Sequence, residues 1–294
     1  ATCPACWFVS AENQPGSVVR PYTFVPPRPS RKRIPAGQPF SFGLTLFGEA
    51  FRFLPYAVLA AHEMGRIGVG SGRRDGLGRF QLEEIRSHNP FTGERTQLLA
   101  PGEQLVRVAP TTIDYTLAAT QAESLAARLP NSDNLLRLRF ISPMRLEEKK
   151  HLYKSPDFAV LFHRLLYRID DLGRQYAGGE RRDREEVFFL NDLAGQVRMV
   201  DSRIDWVEQW SWSGRKGART PLSGFVGTAV YYSTDWGPLL PWLLLGQGTQ
   251  AGKSAVKGNG VYQLMDQSPG YWDWLADAPV RRTQPDPARM EQQS

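Results

Sequence analysis

Lys149-Lys150-His151-Leu152-Tyr153-Lys154 sets an imidazole, a phenol and several ammonium groups on one short stretch of chain. An imidazole exchanges protons near neutral pH, and cations stabilise the charge that builds on a reacting phosphate. His151, Tyr153 and Lys154 together could therefore supply a base, an acid and a phosphate clamp. An exposed basic loop would have the same composition. Two glycine-rich stretches also carry cations. The first runs from Gly65 to Gly78 with Arg66, Arg73, Arg74 and Arg79; the second runs from Gly246 to Gly260 with Lys253 and Lys257. Glycine lets backbone approach a ligand closely, so Gly252, Gly258 and Gly260 with their lysines read as a cradle for phosphate.

The elements that must position these groups repeat. Leu54-Pro55-Tyr56 and Leu240-Pro241-Trp242 each open an apolar helix, pass into a glycine-rich loop, and end in Gly76-x-Gly78-x-Phe80 or Gly258-x-Gly260-x-Tyr262. Proline is at home in a first helical turn, so both helices have a defined start. Phe40–Phe47 alternates as a strand does, Phe51 to Met64 has helical spacing, and Phe80 to Ile85 reads as a returning strand. Residues 87–134 are polar, with turn signals at Asn89-Pro90 and Pro101-Gly102, and read as loop.

The second half opens with the alternation Leu136-Arg137-Leu138-Arg139-Phe140-Ile141. A clear amphipathic helix follows, marked by Phe158, Leu161, Phe162, Leu165, Ile169 and Leu172. His163 lies on it and reads as a surface or helix-packing residue. Residues 197–232 read as a long hairpin turning at Gly214-Arg215-Lys216-Gly217, where Arg215 and Lys216 face RNA or solvent. From residue 135 the order is strand, helix, strand, strand, helix, strand, the ferredoxin-like pattern. The first half shows only the back part of such a unit.

The chain has 294 residues, room for two domains, and a net charge of +6 that is compatible with a polyanionic partner without requiring one. The expected division is a Pro/Arg-rich linker over 1–39, a partial ferredoxin-like domain over 40–130, a complete one over 131–267 and a tail over 268–294. No apolar run reaches the roughly 20 residues of a membrane span, so a cytoplasmic protein without membrane contact is expected. Cys3 and Cys6 form half of a zinc motif, and the first histidine is His62. No metal or other cofactor is expected in this chain. Gln250-Ala251-Gly252-Lys253-Ser254 invites a nucleotide-binding reading, but Gln247 stands where that motif needs glycine, and the loop follows a helix rather than a strand. The glycines of the first loop miss the dinucleotide spacing.

The order of these features resembles the Cas6-type CRISPR RNA-processing proteins of the RAMP superfamily. The resemblance is carried by Phe40–Phe47 with its helix and loop, by Gly224-Phe225-Val226-Gly227, and by Gly252-Lys253 through Gly258-x-Gly260. It implies an α+β fold of tandem ferredoxin-like domains and an endoribonuclease acting on the repeat hairpin of precursor CRISPR RNA. It further implies attack by the RNA's own 2′-OH without metal, giving a 2′,3′-cyclic phosphate, retention of the crRNA hairpin, and association with other Cas proteins in an effector complex. Many relatives carry histidine just before the Gly-Lys of the last loop. Gln250 stands there and cannot exchange a proton near neutral pH. A non-catalytic subunit that holds the hairpin is the other reading.

Overall fold

The computed structural model describes residues 19–27, 34–103, 105–107, 112–213 and 217–275. Cys3, Cys6, Arg215 and Lys216 lie outside the described residues. The second half is built on β5 (Leu135–Met144), whose alternation buries Leu136, Leu138 and Phe140 on one face. Its partners are β8 (Arg198–Val207), β11 (Gly224–Tyr232) and β12 (Tyr262–Leu264), in the antiparallel order β12-β5-β11-β8. Helix α3 (Phe158–Tyr176) follows β5, and α5 (Leu240–Thr249) lies between β11 and β12, which completes the ferredoxin-like order. An additional helix, α4 (Arg184–Gln196), precedes β8.

The packing follows from the sequence pattern. Asp157 caps α3 by accepting the Val160 N–H at 3.0 Å. Phe158, Leu161, Phe162 and Leu165 are buried against the sheet, and Leu240, Leu243 and Leu244 of α5 join them. Phe140 and Phe225 meet edge to face with centroids 4.9 Å apart. Truncating the fully buried Phe162 to alanine would cost about 3–5 kcal/mol. The expected long hairpin forms: β8 pairs with β11, and β9 (Trp210–Ser213) with β10 (Ala218–Pro221) at its outer end.

The first half begins with β1 (Tyr22–Val25) antiparallel to β2 (Gly43–Leu46), followed by α1 (Leu54–Ile67). Two expectations are corrected here. No strand forms over residues 80–84; regular pairing starts only at Ile85, in the hairpin of β3 (Ile85–His88) with β4 (Arg95–Leu99). Residues 87–134 are not all loop, because α2 (Tyr115–Ala126) forms within them. Asp114 accepts the Leu117 N–H at 2.9 Å, and Ala118, Ala122 and Leu125 form a narrow buried stripe. Small alanines made that stripe inconspicuous in the sequence. The fold is α+β, and no helix among the described residues is long and apolar enough to cross a membrane.

Specific bonds hold the halves together. Thr23 Oγ1 donates to the Gly248 carbonyl at 2.9 Å, and Tyr176 Oη donates to the Val19 carbonyl at 2.5 Å. Gln267 Nε2 donates to the Pro90 carbonyl at 3.1 Å.

Candidate nucleic-acid interface

The two glycine-rich loops share one backbone design. In the first, Val69 N–H donates to Gly78 O at 2.9 Å; in the second, at the same spacing, Ala251 N–H donates to Gly260 O at 3.1 Å. Gly70, Gly76 and Gly78 have positive φ, and so do their counterparts Gly252, Gly258 and Gly260. A methyl group on Gly78 would overlap the Val69 carbonyl oxygen, and one on Gly260 would overlap that of Ala251. These closing glycines therefore serve the approach of protein backbone to protein backbone.

This changes the assignment of the second loop. Gly258 and Gly260 are buried, so neither can touch RNA directly. A side chain on Gly258 would meet Pro26, and one on Gly252 would meet the Arg145 carbonyl. The exposed groups of the loop are Lys253 and Lys257. Lys253 Nζ donates to Glu147 Oε1 at 2.9 Å while its N–H donates to Arg145 O at 3.0 Å. Lys257 Nζ donates to Ser211 Oγ at 3.3 Å, on the outer hairpin of β9 and β10. The loop thus joins two hairpins.

Gln250 opens this loop at φ +59° and is fully buried. Its Nε2 donates to the Phe24 carbonyl of β1 at 2.9 Å, and its Oε1 is buried without a partner among the described residues. Next to it, Arg168 Nε donates to Thr249 O at 2.7 Å, and burial pushes the Arg168 guanidinium down to about 10 despite the nearby Asp171. The end of α5 is fixed from both sides. A side chain at position 250 has no access to a substrate in this arrangement.

The first loop is less embedded. A side chain at Gly70 or Gly76 would meet open space, and Arg73, Arg74 and Arg79 are exposed. Arg66 pairs with Glu63 at 2.7 Å. The adjoining surface of α1 is apolar, with Leu59, Met64 and Leu77 exposed around a shallow hollow lined by Ala60, Ile67 and Val69. A row of rings links the two loops: Phe80 to Phe40, Phe40 to Phe42, and Phe42 to Phe24, at 5.4, 6.4 and 5.5 Å.

His151, Tyr153 and Lys154 lie in a hairpin of β6 (Leu146–Glu148) and β7 (His151–Tyr153). Its turn residues Lys149 and Lys150 both have positive φ, +47° and +68°, as a two-residue hairpin turn requires. Asparagine and glycine are the usual occupants, so two lysines there hold cations at the tip at some cost in backbone strain. The pleat divides the three expected residues. His151 and Tyr153 share a face, with ring centroids 4.6 Å apart, and Glu148 is the register partner of His151 on it. Lys154 lies on the other face, with Nζ 5.7 Å from the centre of the Trp206 ring. That face also carries Glu147, bonded to Lys253, and it looks toward Glu208. Glu208 accepts from Ser223 Oγ at 2.7 Å and from Trp206 Nε1 at 2.6 Å. These bonds, Ser223's first, hold its carboxyl below the usual range, with Lys154 and Arg145 adding to the effect.

Sequence reasoning missed one member of the first face. His163 Nδ1 lies 2.6 Å from Glu148 Oε1 and the side chain is half exposed. Helical spacing alone placed it outside the apolar stripe of α3, but nothing local in sequence pointed to Glu148.

Residues 138–262 match the family model described as CRISPR-associated endoribonuclease Cas6. This part of the chain is a Cas6 domain. Residues 1–111 match a separate family model, described as an N-terminal domain. A Cas6 product complex shares the fold at a TM-score of 0.51 and 15% identity, with 88% of each chain covered. Thermus thermophilus Cas6 aligns at 0.50 and 13% identity, over 88% of this chain and 82% of that one. A partial Cas6-RT-Cas1–Cas2 complex aligns at 0.54 and 15% identity, over 83% of this chain and 38% of that one. No curated protein sequence matches the chain. The Cas6 domain spans the sheet, the β6–β7 hairpin and the second glycine-rich loop up to β12.

Proposed function

We propose that this Cas6-type protein binds the repeat hairpin of precursor CRISPR RNA and cleaves it through the RNA's own 2′-OH. The observation that carries the reading is the 2.9 Å bond from Lys253 of the second loop to Glu147 of the hairpin bearing His151. It ties a phosphate-seeking cation to the hairpin whose opposite face carries the His151 imidazole. In the reaction the 2′-oxygen bonds to phosphorus, the P–O5′ bond breaks, and one proton leaves the 2′-OH while another reaches the 5′-oxygen. His151 takes part in proton transfer, Tyr153 orients it by ring contact, and the tip lysines offset charge on the reacting phosphate, while Lys154 and Lys253 on the opposite face hold the neighbouring sugar-phosphate chain. Arg73, Arg74 and Arg79 of the first loop, with Lys257, Arg215 and Lys216, contact the sugar-phosphate chain of the RNA. The cleaved hairpin stays bound, which favours a role within an assembly of Cas proteins.

A second reading, a subunit that holds the crRNA hairpin without cutting, draws support from Gln250, whose buried amide is spent on the Phe24 carbonyl. One experiment separates the two. A CRISPR repeat RNA is incubated with the protein in EDTA and its ends are identified. A single cut with a 2′,3′-cyclic phosphate and a 5′-OH supports the nuclease; tight binding of intact RNA supports the holding subunit.

A further inference from the structure

We propose that His163, held by Glu148, donates the proton to the departing 5′-oxygen, and that His151 accepts the proton of the attacking 2′-OH. This rests on the nuclease reading above and adds a second imidazole to it. Glu148 stands between the two rings. It is the cross-strand partner of His151, and its Oε1 lies 2.6 Å from His163 Nδ1. Opposed residues in an antiparallel pair have Cβ atoms about 4.5–5.5 Å apart. The two imidazoles therefore neighbour one carboxylate on one face of the hairpin.

The bond to Glu148 occupies Nδ1, which leaves Nε2 as the nitrogen available to a substrate. When the ring carries both protons, that nitrogen is a donor. The supports of the pair are rigid. His163 follows the fully buried Phe162 on α3, and Leu146 anchors β6 in the core. The elements that carry the pair bring to it Glu148 on β6, Lys149 and Lys150 at the tip, His151 and Tyr153 on β7, and Arg164 and Tyr167 on α3. During the step the 2′-O–P bond forms as His151 gains a proton. The P–O5′ bond breaks as His163 loses one, and exchange with water then restores both rings. A helix-to-hairpin tether would use the same 2.6 Å contact, so the test must read proton donation itself.

The test uses a repeat RNA cut by the wild-type protein, and the same RNA with sulfur replacing the bridging 5′-oxygen at the mapped site. A thiolate leaves without needing a proton. His163→Ala should slow cleavage of the oxygen substrate about 10²- to 10⁴-fold and cut the sulfur substrate at nearly the wild-type rate. His151→Ala should be slow on both. Glu148→Gln should fall between on the oxygen substrate and cut the sulfur substrate at nearly the wild-type rate. Binding of a 2′-deoxy, uncleavable RNA reports folding, and His163→Asn serves if the alanine variant is unstable. Equal slowing on both substrates, or no slowing, overturns the assignment while leaving the nuclease reading intact. A wild-type protein that leaves the oxygen substrate whole removes the nuclease reading and this assignment with it.

Discussion

Lys253 and Glu147 form a 2.9 Å ion pair that joins the second glycine-rich loop to the β6–β7 hairpin across 106 positions of sequence. Both side chains are partly exposed, so the pair adds little to stability in water. Its effect is to aim the cation. Lys253→Ala should weaken repeat-RNA binding roughly tenfold (~1.4 kcal/mol) and lower the slope of log affinity against log salt by about one. Glu147→Gln should strengthen binding by freeing the ammonium. Filter binding over a salt series checks both, and an unchanged slope in Lys253→Ala would place that lysine away from phosphate.

The arginines of the first loop should not be equivalent. Arg66 is already paired with Glu63 at 2.7 Å, whereas Arg73 stands at the rim of the apolar hollow beside the loop. Arg73→Ala should reduce RNA affinity several times more than Arg66→Ala. Titration of one hairpin RNA against both variants at fixed salt measures the difference.

Gln250→His places an imidazole at the head of the second loop, yet should give no gain in cleavage. The position is buried, has φ +59°, and is occupied in bonding Phe24 O. The variant should instead lose about 1–3 kcal/mol of stability, read as a lower melting temperature. A faster cut by this variant would show that the loop opens to substrate.

Gly260→Ala should be among the most damaging single changes in the protein. It demands φ +77° of a residue with a side chain and drives that side chain into the Ala251 carbonyl. A loss of about 3 kcal/mol or more is expected in denaturant unfolding, together with loss of RNA binding. Gly76→Ala, where nothing stands within 4 Å, should cost about 1 kcal/mol through φ alone.

Glu208 gives a pH prediction with a definite sign. Ser223 and Trp206 bond its carboxylate and hold the folded value below the ordinary 4.5. Its stabilising contribution is complete above about that pH and is lost as pH falls through the depressed folded value. Wild type should therefore exceed Glu208→Gln in stability at neutral pH, and the two curves should converge in acid. Parallel curves through that window would remove Glu208 from the network.

The second half was largely legible because its signals are strong and local. The Leu136 to Ile141 alternation, the long stripe of α3 and the hairpin around residue 215 all name their elements directly. Helix α2 hid because alanines at 118 and 122 carry its buried stripe, and the capping Asp114 is a weaker cue. Residues 80–84 alternate adequately but pair with no strand among the described residues, and pairing is decided by tertiary neighbours. In the site, the repeat of the glycine loops was visible while the use of their glycines was not. Whether a left-handed residue faces ligand or its own backbone depends on what packs over it. The Glu148–His163 contact joins residues that fold topology alone brings together.

The matched closures at Val69–Gly78 and Ala251–Gly260 describe a unit present in duplicate, one copy wedged into the body and the other left on the outside. Such an arrangement divides evolutionary freedom unequally. The wedged copy is constrained by everything it touches, whereas the outer one tolerates change between its fixed ends. Grafting that outer segment between homologues would transfer target preference as a cassette, without retuning the rest of the molecule.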